Sequence, residues 1–544
     1  MSDASFRLTA LLVDVLNERV LPADITVTEG RIAAVDPASS EPTTYACPGF
    51  VDAHVHVESS LLVPSEFGRA AALHGTVATV SDPHEIANVV GIAGVRYMLD
   101  SAAQTLVKIH FGAPSCVPAT MFETAGACLD VEDVAKLLDD PHIGYLSEMM
   151  NYPGVIHDDP IVLGKIRAAQ DRGKPIDGHA PCVRGADAKK YFAAGISTDH
   201  ECVSIDEARE KLALGVKILI REGSAARNFE ALCGIIPDHW KQCMFCTDDM
   251  HPDLLIGGHI DRHVRRAVAM GFDVMKVLRI ACVNPVEHYQ MNVGLLRVGD
   301  PADFIELADL RDFRVLRTYI DGHLVAEANQ PRMPSLPISA INQFVKTVHP
   351  PADFAIPATG PRLRVIEAID GELITRRVIE SARIENGHAI ADPARDLLKI
   401  AVVNRYRSEK PAVAFVKGIG LRRGAIASSV AHDSHNIVAV GADDKSLAAA
   451  VNAVMDSGGG LAVFDGVTAN ILPLPVAGLM STEPFENVAA AYSRIDRLAK
   501  ELGTPLRAPF MTLSFLALLV IPELKLSDRG LFDCARMGFT EVFP

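Results

Sequence analysis

The run Pro48-Gly49-Phe50-Val51-Asp52-Ala53-His54-Val55-His56-Val57-Glu58 decides how the rest of the chain is read. Val51, Val55 and Val57 are β-branched and suit a buried strand. Along a strand, residues two apart face the same way. Asp52, His54 and His56 therefore share a face, and the two imidazoles can reach one metal ion. A His-x-His pair also arises by chance, so its meaning rests on what stands at other strand ends.

Outward from this run, residues 47 to about 250 alternate short β-rich runs with segments of helical period. Eight such runs occur: 47–57, 75–82, 108–114, 143–149, 175–179, 195–200, 215–220 and 242–248. Helices are expected between them over 130–140, 163–171 and 205–214. Asp130 suits an N-cap with acidic Asp133 three residues on, and Gly173 and Gly215 stand where helices should stop. Eight strand-helix repeats over this length predict an α/β fold, a (β/α)8 TIM-like barrel with right-handed crossovers.

The flanks read differently. Residues 8–36 partly alternate apolar and polar positions around a turn at Glu29-Gly30, and 294–327 returns to strand-like runs with turns at Gly299-Asp300 and Asp321-Gly322. The expected organisation is a small β-sandwich domain built from both flanks (1–46 plus 290–330) around a barrel over 47–289. That barrel is expected to end with one long helix over 260–282. Seven prolines mark 331–361 as a linker, and 362–544 reads as a C-terminal α/β domain. There 412–420 is an expected strand. Gly458-Gly459-Gly460 lacks the Lys-Ser/Thr of a phosphate loop and reads as a turn. His432-Asp433-Ser434-His435-Asn436 reads as an internally hydrogen-bonded turn.

At 544 residues the chain is too long for one core. A formal charge of −16 with no Lys/Arg-rich block excludes a nucleic-acid groove and favours a small neutral or cationic substrate. The apolar run 510–521 is too short to cross a bilayer, so no membrane association is expected. Ten scattered cysteines and an N-terminus without a secretory pattern point to a reducing cytoplasm. Cys243 and Cys246 spell C-x-x-C, but three residues apart on a strand they face opposite ways. Whether the chain forms a homo-oligomer is not readable.

Functional groups of a parallel barrel gather at the C-terminal ends of its strands. Those ends carry His54 and His56, then Asp82-Pro83-His84-Glu85, Glu148, His179, His200-Glu201 and Asp248-Asp249. Burying that many unpaired polar groups is costly. A shared metal centre accounts for His54, His56, Glu148, His179, His200 and Asp248 together. Four imidazoles and two carboxylates suit two divalent ions, and Zn, Mn or Fe all accept such ligands.

These residues resemble the amidohydrolase superfamily, whose first-strand signature Pro-Gly-Phe-Val-Asp-Ala-His-Val-His is similar. Many binuclear members carry a carboxylated lysine on strand four, where this chain has Glu148. That difference, with SDPHE, GHAP, DHE, CTDDMHP and the C-terminal AHDSHN, is similar to the adenine deaminase family over essentially the whole chain. The resemblance implies one metal held by His54, His56 and Asp248, a second by His179 and His200, and Glu148 bridging them, with iron or manganese as the ions. It implies hydrolytic deamination of the purine adenine at C6, with Asp248 moving the proton from water to the departing amine. His84 and Glu85 are expected to serve the ring nitrogen. Asp82 is expected to orient His84 and, with Glu201 and Asp249, to border the substrate. Ser224, His239 and His251 are expected on the surface. The rival readings are hydrolysis of a cyclic amide or another aminopurine on the same scaffold, and a non-catalytic scaffold, which would lack ligands. Nucleic-acid deamination would need a Cys/His zinc signature that is missing.

Overall fold

The computed structural model describes residues 4–544. Its centre is a barrel of eight parallel strands: Phe50–Val55, Thr76–Ser81, Lys108–Ala113, Ile143–Met149, Ile176–Gly178, Thr198–Asp199, Lys217–Arg221 and Cys243–Cys246. The first two are buried at every position, as a parallel sheet covered on both faces requires. Backbone hydrogen bonding runs in a five-stranded and a three-stranded arc. Ser197 N donates to Ile176 O (2.9 Å) between them. The ring closes where Asp248 N donates to His54 O (2.9 Å) and His56 N to Asp248 O (3.2 Å). Closure thus brings the His-x-His strand against the loop that follows strand eight.

The helices follow their local signals. Val131–Leu138 starts on Asp130, whose carboxylate accepts from Asp133 N while the Asp133 side chain accepts from Asp130 N. Gly173 and Gly215 follow helices with φ of +63° and +86°, a conformation glycine takes without a Cβ clash. The long helix expected over 260–282 is broken. Ile260–Ala269 ends before Gly271 (φ +90°), and Asp273 caps a second helix, Val274–Leu278. A helical bulge, Arg279–Val283, then leads into Asn284–Tyr289.

Both flanks join through one eight-stranded hydrogen-bonded sheet that folds over itself, bringing Phe6 against Tyr319 (ring centroids 5.1 Å apart) across a shared core, in line with the expected small β-sandwich. Phe6–Asp14, Arg19–Thr28, Arg31–Pro37 and Tyr45–Pro48 come from the N-terminal side. The seam is the antiparallel pairing of Tyr45–Pro48 with Phe304–Leu307. Gly49 turns this strand into the barrel, and a Cβ there would lie 2.2 Å from Val77 Cγ1. The two units are therefore in backbone contact at the root of the His-x-His strand.

The proline-rich 331–361 is a packed strap and not a free linker. Ser335 Oγ donates to Glu66 (2.6 Å), Tyr97 OH to Ser339 O (2.8 Å), and Val345 N to Arg405 O (2.7 Å). Prolines remove donors but leave carbonyls, and neighbouring side chains use them. Beyond it lies a second eight-stranded sheet, with the expected strand at Ala412–Lys417 near its middle. Asp444–Ser457 packs Leu447, Val451 and Val454 on that sheet and ends on Gly458 (φ +75°). The apolar run 510–521 begins in the helix Pro509–Phe515, and Met511, Phe515 and Leu518 pack with Ala225 of the barrel's loop. The C-terminal domain is thereby pressed onto the barrel at the end where the ionisable residues stand.

Candidate metal centre and catalytic pocket

The structure brings all six expected ligands together, each at most 6% exposed. His54 Nε2 is 3.5 Å and His56 Nε2 3.2 Å from Asp248 Oδ1. Glu148 is the hinge of the group. Its Oε1 faces His56 Nε2 at 3.3 Å, while Oε2 faces His179 Nδ1 at 2.8 Å and His200 Nε2 at 3.1 Å. One carboxylate oxygen thus addresses each half of the cluster, the arrangement a bridging ligand needs. Asp248 has φ +56°, in the left-handed region that Asp enters more readily than most residues. That backbone both closes the barrel and turns the carboxylate inward.

The residues fit divalent cations by their own chemistry. Both ring nitrogens of His54 and the Nε2 atoms of His179 and His200 are buried without a hydrogen-bond partner, which is costly unless something else satisfies them. His56 has its Nδ1 3.2 Å from Asp82 O, leaving Nε2 free to ligate, as a second-shell contact should. Burial raises the carboxyl pKa of Glu148, but His179, His200 and His56 outweigh it and hold the group well below its ordinary value. Burial lowers the pKa of His200, but Glu148 overrides it and draws the imidazole up to about 9. A carboxylate that attracts protons this strongly attracts cations by the same field.

Of the loop after strand two, Asp82 accepts from His84 N (3.1 Å) and its Oδ2 lies 2.9 Å from His84 Nδ1. Asp82 therefore orients His84 and is turned from the substrate space. His84 directs Nε2, which has no partner, into the pocket. Glu85 keeps its Oε1 3.6 Å from His84 Nε2 and has further partners in the C-terminal domain. Its two oxygens are hydrogen-bonded to His432 Nδ1 and His435 Nε2. The AHDSHN turn is thus a contribution of the C-terminal domain to this pocket and is not self-contained.

Glu201 and Asp249 both reach the pocket although they follow ligands in sequence. Strand six is only Thr198–Asp199, so the alternation ends before His200, and Glu201 lies 3.4 Å from His200 Nε2. Asp249 accepts a hydrogen bond from Ser59 Oγ. Ser224 and His251, expected on the surface, are buried. His251 N donates to Ser224 Oγ (2.9 Å), and its Nδ1 is 2.6 Å from Tyr492 OH. His239 is only half-buried.

Sequence reasoning missed Arg221. This buried guanidinium ends strand seven and pairs with Glu201 and Asp248. Its only local signal was a cation at the end of an otherwise apolar strand, KILIR. Burial raises the pKa of Asp248, but Arg221, then His54 and His56, outweigh it and keep the carboxyl well below its ordinary value. Asp433, His432, Leu373, Phe515 and Leu518 also line the pocket. With Met150, the last three of these form its apolar lining, and the His432 ring stacks on Phe515 (centroids 4.5 Å apart, planes 10° apart).

Ionisable and apolar side chains thus line one pocket between the barrel and the C-terminal domain. The amidohydrolase family model matches residues 45–325, and the adenine deaminase C-terminal domain model matches residues 372–538. The adenine deaminase of Salinibacter ruber (strain DSM 13855 / M31) is 56% identical over 542 residues, 99% of each chain. That of Sulfurovum sp. (strain NBC37-1) is 54% identical over 97% of this chain and 98% of its own. A third, from Methanosarcina mazei, is 50% identical over 98% of each. Likeness of this extent covers the barrel, both flanks and the C-terminal domain, and this chain belongs to the adenine deaminase family of amidohydrolases.

Proposed function

We propose that this protein hydrolyses adenine to hypoxanthine and ammonia, using two divalent cations, iron or manganese, held by His54, His56, His179, His200 and Asp248 with Glu148 between them. The observation that carries the reading is Glu148 itself, with one oxygen toward His56 and the other toward His179 and His200, in a pocket that Leu373, Phe515 and Leu518 also line. The names of its relatives support the same substrate. Bound by these residues, the cations would supply Lewis acidity, lowering the pKa of water so that a hydroxide nucleophile is available near neutral pH.

The side chains account for the remaining steps. Asp248 stays ionised beside Arg221, so it accepts the proton released as water adds to C6 and returns it to the amino group as the C6–N bond breaks. Burial lowers the pKa of His84, but Asp82 and Glu85 outweigh it and hold the imidazole protonated. Asp82 fixes its Nδ1, so Nε2 is the nitrogen placed to share a proton with the ring as electrons move into it. Leu373, Phe515 and Leu518 exclude bulk water, which strengthens each of these charges. Glu201 and Asp249 border the same space. The ten cysteines are free, in keeping with a cytoplasmic setting.

The test is ammonia release, with the accompanying ultraviolet change, from protein loaded with Mn or Fe and offered adenine, other aminopurines and cyclic amides. Turnover of a cyclic amide without adenine would reject the assignment.

A further inference from the structure

Asp433 is the least explained group in the pocket. It is 2% exposed, belongs to the C-terminal domain, and its Oδ2 is buried without a hydrogen-bond partner. The residues on either side hold it rigidly, because His432 and His435 are both tied to Glu85 of the barrel. His435 Nδ1 accepts from Ala431 N (3.2 Å), so its proton sits on Nε2 and points at Glu85. Asp433 is therefore placed by two domains at once, with His84 facing its Oδ1 at 3.6 Å and nothing satisfying its Oδ2.

Its position relative to the metal ligands supplies a reason. The His84 ring has Nδ1 3.6 Å from Glu148 Oε1 and Nε2 3.6 Å from Asp433 Oδ1. Glu148 and Asp433 thus stand at opposite ends of one imidazole, the first at the metal end and the second in the C-terminal domain. A purine held with C6 at the Glu148 end and its long axis along this imidazole presents its five-membered ring toward Asp433. Free adenine carries one N–H donor on that ring. Its nucleosides and its 7- or 9-alkyl derivatives carry none.

We propose that Asp433 accepts the imidazole-ring N–H of the free base, so that the C-terminal domain selects adenine over N-substituted adenines. This rests on the reading of the chain as an adenine deaminase. A buried carboxylate left without its donor is penalised more than an ordinary hydrogen bond is worth. That asymmetry makes an unsubstituted ring nitrogen a requirement, where an apolar wall would tolerate a methyl group.

The experiment compares steady-state kinetics of the Mn-loaded full chain and its Asp433→Asn variant on adenine, 7-methyladenine and 9-methyladenine, with metal content and melting temperature measured on both. The wild type should turn over both methyl derivatives with kcat/KM lower by on the order of 100-fold or more. Asp433→Asn should keep its metal and its melting temperature and lose on the order of 10- to 100-fold in kcat/KM for adenine, chiefly through KM. Its preference for adenine over 9-methyladenine should collapse, since the amide can donate to N7. Wild-type turnover of both methyl derivatives as fast as adenine would overturn the proposal, even if the variant did not fold. An Asp433→Asn enzyme with unchanged preference, or one that loses metal, would overturn it too. Absence of adenine turnover by fully loaded wild type would instead remove the reading on which it rests.

Discussion

Glu85 and His435 are hydrogen-bonded across 350 positions of sequence. The carboxylate stands in the first turn of the helix His84–Val90 that follows the second barrel strand, and the imidazole belongs to the C-terminal domain. The same carboxylate holds His432, so the two domains meet at one buried anion on the edge of the metal centre. Burial lowers the pKa of His432, but Glu85 and Asp249 outweigh it and lift the imidazole to about 9, so the contact is an ion pair at neutral pH. Replacing Glu85 by Gln leaves that buried cation without its anion. The expected result is a loss of about 3–5 kcal/mol in stability, with a rise in KM for adenine, read by denaturant unfolding and steady-state kinetics.

Glu148→Gln removes the charge that faces both halves of the cluster while preserving its shape. Removing a second-shell contact alone typically lowers metal affinity or activity by about 10- to 100-fold. Loss of the bridging carboxylate should therefore exceed about 100-fold in turnover. Metal analysis should show fewer ions per chain. Wild-type metal content with wild-type ammonia release would contradict the role given to Glu148.

Arg221→Met should destabilise the protein by about 3–5 kcal/mol, because Glu201 and Asp248 would be left as adjacent buried carboxylates. Lowering the pH should raise the variant's stability more steeply than the wild type's, because those carboxylates protonate in addition to His200 and His432, whose raised values of about 9 stabilise both proteins as pH falls. Urea unfolding of both proteins across pH 5 to pH 8, in the absence of added metal, distinguishes them.

Lys525 pins two residues of the pocket's apolar lining, donating to Leu373 O (2.7 Å) and Phe515 O (2.9 Å). Burial pulls its pKa from 10.5 down to about 7. The folded-state value is the depressed one, so the unfolded chain binds more protons between these limits. Stability linked to this group is then present above pH 10.5 and lost as pH falls toward 7. Lys525→Met should lose about 1–3 kcal/mol from the two freed carbonyls. The gap between wild type and variant should narrow from pH 9 to pH 7, by at most about 1.4 kcal/mol per pH unit.

Chelation offers a test of the whole cluster. Removing the cations should abolish ammonia release and lower the melting temperature. A ligand present at 1,000 times its Kd contributes about 4.1 kcal/mol to stability. Readdition of Mn or Fe should restore both, and a chelator-treated protein with full activity would exclude a metal-dependent reaction.

The barrel was legible because its signals are local. Seven of the eight predicted runs contain an observed strand and the other, 215–220, stops one residue short of Arg221, while the period of two placed His54 and His56 on one face before any partner was known. The break at Gly271 was written in the chain as a glycine followed by an Asp273 cap, but the apolar repeat of Ile260, Val264 and Val268 masked it. Two features lay out of reach for a different reason. How the two flanks join depended on Tyr45–Pro48 meeting Phe304–Leu307, a pairing that no period records. The AHDSHN turn looked complete because its short polar residues can bond one another. Glu85 took two of them instead.

The amino-acid sequence by itself determined the ligand types, their order along the strands and the parallel α/β scaffold, since strand alternation and helix caps act over a few residues. Only the tertiary structure decided which carboxylate faces which imidazole, that Arg221 holds Asp248 and Glu201 ionised, and that Asp433 enters the pocket from a separate domain. Those relationships join groups tens to hundreds of positions apart. They are set by barrel closure and domain docking, where buried charges must find partners regardless of their distance in sequence.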